Sequence, residues 1–257
     1  MMMLPDDGGA TTPVGDVPPG WCDIVGDGRM GRALCSALRA SGLPVRGPLA
    51  RGADAAGAAV VLLCVPDREI ATASAAIAAG AILGHVSASA DLALLAPHER
   101  FAMHPLLSVV GAGARFSGAT CVVEGSSDRA TGVAFALAAR LEMIPKVIAS
   151  GQRALYHAAA TMASNYLVTL EASAERLAGR VGLDRAALVP LVRATVEHWA
   201  ALGGREALTG PIARCDWETV DRQRAAVAAA APDMVALWDC LVAETRSLAA
   251  APSGVTP

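Results

Sequence analysis

Lysine is nearly missing from this chain. Lys146 is the only one among 257 residues, and arginine supplies the rest of the positive charge. An arginine where lysine is usual therefore says little about function. There is no basic run and no aromatic stripe interleaved with one; aromatics make up 4% and the formal net charge is −3. Both features argue against a nucleic-acid partner. No two of the six cysteines, at 22, 35, 64, 121, 215 and 240, form a C-x-x-C pair, and several lie in apolar runs. They read as buried thiols of a cytosolic protein, not as a disulfide framework or a zinc site, and no metal is expected. No apolar run reaches the length of a bilayer span. The longest, 58–65, stops at Pro66, and the small-residue stretch 71–96 is broken by glycine, histidine, serine and aspartate. The 54% hydrophobic content and the mean hydropathy of +0.44 reflect alanine more than a membrane protein. The opening residues are rich in Gly, Pro, Asp and Thr and lack the apolar centre of a signal peptide. Residues 1–20 read as a disordered tail and 251–257 as a C-terminal tail, and a cytoplasmic protein without a membrane partner is the expectation.

What is present is organised around Gly26-Asp27-Gly28-Arg29-Met30-Gly31. It follows the apolar run Cys22-Asp23-Ile24-Val25 and opens a helical run from Arg32 to Arg39. Strand, glycine turn and helix in that order make G-x-G-x-x-G a dinucleotide-binding fingerprint. Gly26 allows the tight turn, Gly28 removes a side chain where a pyrophosphate approaches, and Gly31 lets the helix pack closely. The helix N-terminus supplies free N–H groups and a positive partial charge. The plainer alternative is a tight turn in an α/β domain without a ligand. A short second strand is expected over 42–46. A site that selects NAD carries an acid at the end of that strand. Here Arg46 stands there and Arg51 follows, with no acid before Asp54. A guanidinium suits a 2′-phosphate, so NADP is preferred, the alternative being two solvated loop arginines.

Further strands are expected at 59–65, 81–87, 100–105, 119–123 and 145–149, and helices at 68–79, 91–95 and 128–141. Val65, Pro66 and Asp67 fall at a carboxyl strand end, where such sheets bind ligands; Asp67 also fits as a helix cap. The sum is a doubly wound sheet of about seven or eight strands over 21–150. From 151 to 250 strand signals vanish. One long helix over 152–181, a helix capped by Asp184 and kinked at Pro190, and helices at 217–230 and 232–248 make a second, all-α domain.

Ser87 and His104 sit at expected carboxyl ends of strands, on the side the glycine turn occupies. A neutral histidine there can protonate an alkoxide, oriented by the serine. The plain reading of His104 is a corner histidine before Pro105, and His85 is a weaker candidate. His157, Thr161, Ser164 and Asn165 form a polar strip on an apolar helix, with Tyr156 at its edge. Such a strip faces a ligand, water or another helix. In the loop 208–216, Thr209 and Arg214 are candidate substrate contacts, Arg214 for a carboxylate, while Asp216 fits as a cap.

These motifs occur in one order: Gly-x-Gly-Arg-Met-Gly, Val65-Pro66-Asp67, Gly84-His85-Val86-Ser87, His104-Pro105-Leu106, Tyr156-His157-Ala158-Ala159-Ala160, Ala163-Ser164-Asn165 and Leu208-Thr209-Gly210-Pro211-Ile212-Ala213-Arg214. The set resembles the Rossmann-like family whose helical half is domain of unknown function twenty-five-twenty. It departs from that pattern at Ala88 and Cys215, where the family has glycine. More distantly it is similar to pyrroline-carboxylate reductases, prephenate dehydrogenases, ketopantoate reductases and deazaflavin-dependent NADP oxidoreductases. The resemblance implies a Rossmann domain followed by a helical domain of the 6-phosphogluconate-dehydrogenase C-terminal type that makes a homodimer. It also implies that His104 contacts a reacting hydroxyl. The expected function is NADPH-dependent reduction of a carbonyl or imine carbon in a small polar substrate, a 2-keto acid such as ketopantoate being the most concrete guess. His104 would be the acid/base with Ser87 beside it, and His157, Thr161, Asn165, Thr209 and Arg214 would hold the substrate. The alternative is a non-catalytic NADP-binding sensor or regulatory subunit.

Overall fold

The structure, a computed structural model, describes residues 16–110, 113–149 and 151–252. Most of the two expected tails therefore lies outside the described residues. The chain divides into two compact units, Met1–Met162 and Ala163–Pro257.

The first unit is a seven-stranded sheet in the order β2-β1-β3-β4-β5-β6-β7. Its strands are β1 (Trp21–Val25), β2 (Val45–Leu49), β3 (Ala58–Leu63), β4 (Ile82–His85), β5 (Arg100–Pro105), β6 (Thr120–Gly125) and β7 (Ile144–Val147). All neighbours pair in parallel except β5 and β6. The expected α/β sheet is thus present, with one antiparallel join. The order reverses between β1 and β3, which makes the loops after those strands the switch point where such sheets take ligands.

Alternation along β3 shows how the sheet is covered. Val60 and Leu62 face one side with Ile24, Phe101 and Met103, under α1 (Arg29–Ala40) and α3 (Asp128–Arg140). Val61 and Leu63 face the other with Leu83 and Ala102, under α2 (Ile70–Ala76) and the 3₁₀ turn Leu92–Leu95. Successive strand residues point to opposite faces, so a strand buried on both sides is apolar throughout. Among the described residues the one fully buried carboxylate is Asp23, at mid-β1. Arg46 meets it bidentately, Nε to Oδ1 at 2.7 Å and Nη2 to Oδ2 at 2.6 Å.

The long helix expected over 152–181 is interrupted. α4 (Arg153–Thr161) ends in the π-turn Met162–Tyr166, and α5 (Leu167–Gly179) follows. The unit boundary falls inside this run, because Arg153 and Tyr156 of α4 are tied to the sheet by side-chain hydrogen bonds. The second unit holds α5, α6 (Arg185–Leu202), α7 (Gly204–Ala207), α8 (Trp217–Ala230) and α9 (Val235–Ala250). Asp184 and Asp216 cap α6 and α8 by accepting from the amides of Ala187 and Thr219. α6 continues through Pro190 as one helix. The small core of the second unit is Val227, Ala231 and Met234, with Leu177, Val235 and Trp238 against it. Among the described residues no helix is long and apolar enough to cross a membrane.

Candidate active site

The turn 26–31 is shaped by close approach. Gly26 has φ +116°, and a Cβ there would lie 2.4 Å from the Cys64 carbonyl oxygen. A Cβ on Gly31 would lie 1.9 Å from the Gly26 carbonyl oxygen, so the third glycine is what lets α1 start this near β1. Gly28 differs: a Cβ there would meet nothing within 4 Å, and its φ of −82° suits any residue. No neighbour among the described residues crowds it, so the space over Gly28 is open to a ligand. Gly28 is also the N-cap of α1 and offers no side-chain cap, leaving the first-turn N–H groups to other acceptors. These features fit a dinucleotide pyrophosphate. Met30 is half-buried and Arg29 exposed beside it. Asp27 turns to Arg32, with bonds of 2.7 and 2.9 Å that hold its carboxyl below the usual carboxylate range and offset its charge. The loop after β3 abuts this turn, since the Cys64 amide donates to the Val25 carbonyl at 2.7 Å and Val65 lies against Gly26.

Arg46 requires a correction. The second strand runs Val45–Leu49, not 42–46, so Arg46 sits inside it. Two of its nitrogens serve Asp23, Nη2 also reaches the Ala56 carbonyl at 3.1 Å, and its guanidinium lies 5.7 Å from the Trp21 ring centroid. It neutralises a buried carboxylate and is not at the ligand edge. The strand reads too early in the sequence because Gly47 and Pro48 break the apolar pattern inside it. Arg51 does stand past the strand end, exposed, with Nη1 2.6 Å from Glu69.

Ser87 is also corrected. It does not hold His104. Its hydroxyl donates to Asp67 Oδ2 at 2.8 Å and accepts from the amides of Ser89 and Ala90. Asp67 takes Ser89 as well, at 2.7 Å, and makes no capping bond; it pins the loop after β4 to the loop after β3.

The partner of His104 is Tyr156, with Nδ1 2.7 Å from the phenolic oxygen and the rings edge-on at 5.7 Å. Burial, then the charges of His157 and Arg153, push His104 down to about 4, so its imidazole is neutral at pH 7. Burial pushes Tyr156 up to about 12, so it keeps its proton. One of the two groups donates to the other. If Nδ1–H donates, the phenolic proton is free for another acceptor. If the phenol donates, the histidine tautomer carries Nε2–H instead. Either arrangement leaves one donor for an oxygen that gains charge.

Arg153, one turn before Tyr156 on α4, places Nη1 2.6 Å from Glu124 and Nη2 3.4 Å from the Ser87 carbonyl. His85 is fully buried at the end of β4, its Nδ1 accepting from the Ser87 amide at 3.2 Å. Burial and then Arg153 lower it to about 4. Of the expected strip on the long helix, His157 and Thr161 lie on α4 in the first unit, and Ser164 and Asn165 lie in the π-turn at the start of the second. Asn165 accepts from Ser164 at 2.9 Å; Thr209 and Arg214 are exposed on the second unit. Sequence reasoning missed Arg153 and Glu124 and left Tyr156 at the margin. The three-residue spacing of Arg153 and Tyr156 was the available signal, because it sets both on one helix face.

Residues 119–245 match the family model described as Domain of unknown function (DUF2520). No curated protein matches the sequence. Among solved structures, a Thermotoga maritima protein is similar at 23% identity and TM-score 0.78, covering 90% of this chain and 100% of its own. A candidate NADP oxidoreductase from Bacteroides fragilis is similar at 19% identity and TM-score 0.75, covering 89% and 98%. Pyrroline carboxylate reductase from Plasmodium falciparum, solved with NADP bound, is similar at 11% identity and TM-score 0.57, covering 92% and 100%. At these identities the likeness is one of fold, a Rossmann-like sheet followed by helices.

Proposed function

We propose that this chain, whose residues 119–245 match the DUF2520 family model, is an NADP-dependent oxidoreductase acting on the carbonyl or imine carbon of a small polar substrate. The observation that carries the proposal is the 2.7 Å His104–Tyr156 pair, in the same sheet whose switch point bears the Gly26–Gly31 turn. The turn's glycines and the first amides of α1 would hold the pyrophosphate. Arg51 would meet the 2′-phosphate, with Val65, Pro66 and Asp67 shaping the adjoining wall. NADPH, when bound, supplies the hydride.

The chain's own residues supply the proton. A carbonyl oxygen that gains negative charge needs a donor that was already in place, and the His104–Tyr156 pair presents one in either tautomer. Because His104 is neutral at pH 7, the proton comes from the phenol or from neutral imidazole N–H, not from an imidazolium. In the reverse direction the same pair receives the hydroxyl proton. Asp67, through Ser87 and Ser89, fixes the loop beside it.

A homodimer through the helical unit belongs to the same proposal. α5 and α6 leave Val168, Leu191 and Trp199 exposed beside a groove of about 530 Å³ whose rim carries Glu171 and Arg193. On a two-fold axis Glu171 of one copy can face Arg193 of the other, which favours a second copy of this chain as the occupant.

The test is a fluorescence titration with NADPH and NADH, followed by NADPH-oxidation assays over pools of keto acids and imines with wild type, His104→Ala and Tyr156→Phe. Tighter binding of NADPH, and turnover that falls at least a hundredfold in both variants, is the expected result. Failure to bind either nucleotide rejects the proposal, and unchanged turnover in both variants removes the proton donor.

A further inference from the structure

Arg153 has more hydrogen-bonding capacity than the protein uses. Three other arginines, Arg32, Arg46 and Arg224, each give the Nε/Nη2 edge to one carboxylate, with distances of 2.6 to 2.9 Å. Arg153 does not. Its Nη1 takes Glu124 alone, its Nη2 has a 3.4 Å contact with the Ser87 carbonyl, and its Nε is buried without a hydrogen-bond partner. A buried donor left unpaired is costly, most of all on a charged group. The Glu124 side chain is 44% exposed and held by a single bond, while that of Arg153 is 16% exposed. The carboxylate is thus the partner that can leave for water.

A second buried donor lies in the same region. His85 Nδ1 accepts from the Ser87 amide, so its proton is on Nε2, and that atom too is buried without a partner. Ser87 links the two, since its amide serves His85 and its carbonyl faces Arg153. Tyr156, three residues along α4, brings the proton-donor pair to the same helix face.

We propose that Arg153 is the anchor for a carboxylate on the substrate, and that Glu124 is the internal stand-in this carboxylate displaces. The inference rests on the oxidoreductase reading and narrows its substrates to those bearing a carboxylate near the reducible carbon. A bidentate guanidinium–carboxylate contact would fix the substrate's orientation relative to His104 and Tyr156. Glu124 keeps the guanidinium paired until then and lowers affinity for acids in proportion to its own hold.

The buried Nε–H of Arg153 is a direct reporter. In nitrogen–proton NMR of the full-length protein its resonance is identified by its loss in Arg153→Lys. Pyruvate, the smallest 2-oxo acid, is titrated with and without saturating NADP, and neutral pyruvamide serves as the matched control. Saturable movement with pyruvate but not pyruvamide is expected. By calorimetry, pyruvate should bind about tenfold or more weakly to Arg153→Lys and several-fold more tightly to Glu124→Gln, whose amide competes less well. A purely structural ion pair predicts no gain in Glu124→Gln. An unmoved Nε–H, equal movement with pyruvamide, or no tightening in Glu124→Gln overturns the assignment. NADP binding with an unmoved resonance would leave the oxidoreductase reading intact. Pyruvate binding without any nucleotide binding would do the reverse.

Discussion

Arg46 and Arg51 look interchangeable in the sequence and do opposite things in the structure, which makes them the sharpest test of the fold. Asp23 is fully buried in β1, and its carboxylate keeps two charge-assisted bonds, 2.7 and 2.6 Å, to Arg46. Replacing Arg46 by Met keeps most of the apolar stem that lies beside Trp21 and removes only the charge. Two bonds to an ionised group, at roughly 1.5–3 kcal/mol each, bound the loss at about 3–6 kcal/mol. Arg46's side chain is 37% exposed, so water can reach the edge of the pair and the loss should sit near the lower end, at about 3 kcal/mol. For a chain of this size that corresponds to a fall in Tm of roughly 6–12 °C. Asp23→Asn with Arg46→Met should recover part of it, because no buried charge is left alone. Arg51, 61% exposed and bound to Glu69 through one nitrogen, should behave otherwise. Arg51→Ala should change stability by no more than about 0.5 kcal/mol and weaken NADPH tenfold or more while leaving NADH binding unchanged. Urea denaturation and fluorescence titration read the two effects separately. If Arg46→Met were as stable as wild type, or itself lost the preference for NADPH, the strand assignment and the division of labour would both be wrong.

Acid should destabilise the first unit through His85 and His104. Each is lowered from an ordinary 6.5 to about 4, so the unfolded chain takes up protons first as pH falls. Stability is therefore full above about pH 6.5 and is lost between there and pH 4, by on the order of 3 kcal/mol for fully buried His85 and less for His104. Urea midpoints at pH 7 and 4.5 should differ less in His85→Gln than in wild type. Ser87→Ala strips Asp67 of a donor and two amides of their acceptor, and should cost about 2 kcal/mol by the same assay. Gly31→Ala must push its Cβ off the Gly26 carbonyl, and should cost about 3 kcal/mol or more in thermal unfolding.

Most of the sheet was legible because its signals are local. Apolar runs such as Val60 to Leu63 and the glycine turn declare themselves without knowledge of their neighbours. The second strand was misplaced because Gly47 and Pro48 break the apolar pattern inside β2, and its register with β1 is a long-range fact. The same holds for the site. That His104 ends a strand could be read from Met103-His104-Pro105. Its partner could not, because Tyr156 lies 52 residues on and meets it only when α4 packs on the sheet. Ser87 looked like that partner because the sequence sets it too at a strand end, yet β4 stops at His85 and the Ser87 hydroxyl donates to Asp67. The π-turn 162–166 left no mark in the periodicity of an alanine-rich helix, so the sequence shows one helix where the structure has α4, the π-turn and α5.

The central claim is that the Gly26–Gly31 turn holds a dinucleotide, and Gly28 tests it most directly. Its backbone conformation suits any residue and a Cβ there meets nothing within 4 Å, so Gly28→Val should fold, with a Tm lowered only by the poorer N-cap, at about 1 kcal/mol or roughly 2–4 °C. In a fluorescence titration wild type should bind NADPH saturably, and Gly28→Val should bind it at least a hundredfold more weakly. Equal NADPH binding by the two proteins, or none by wild type, would contradict the account.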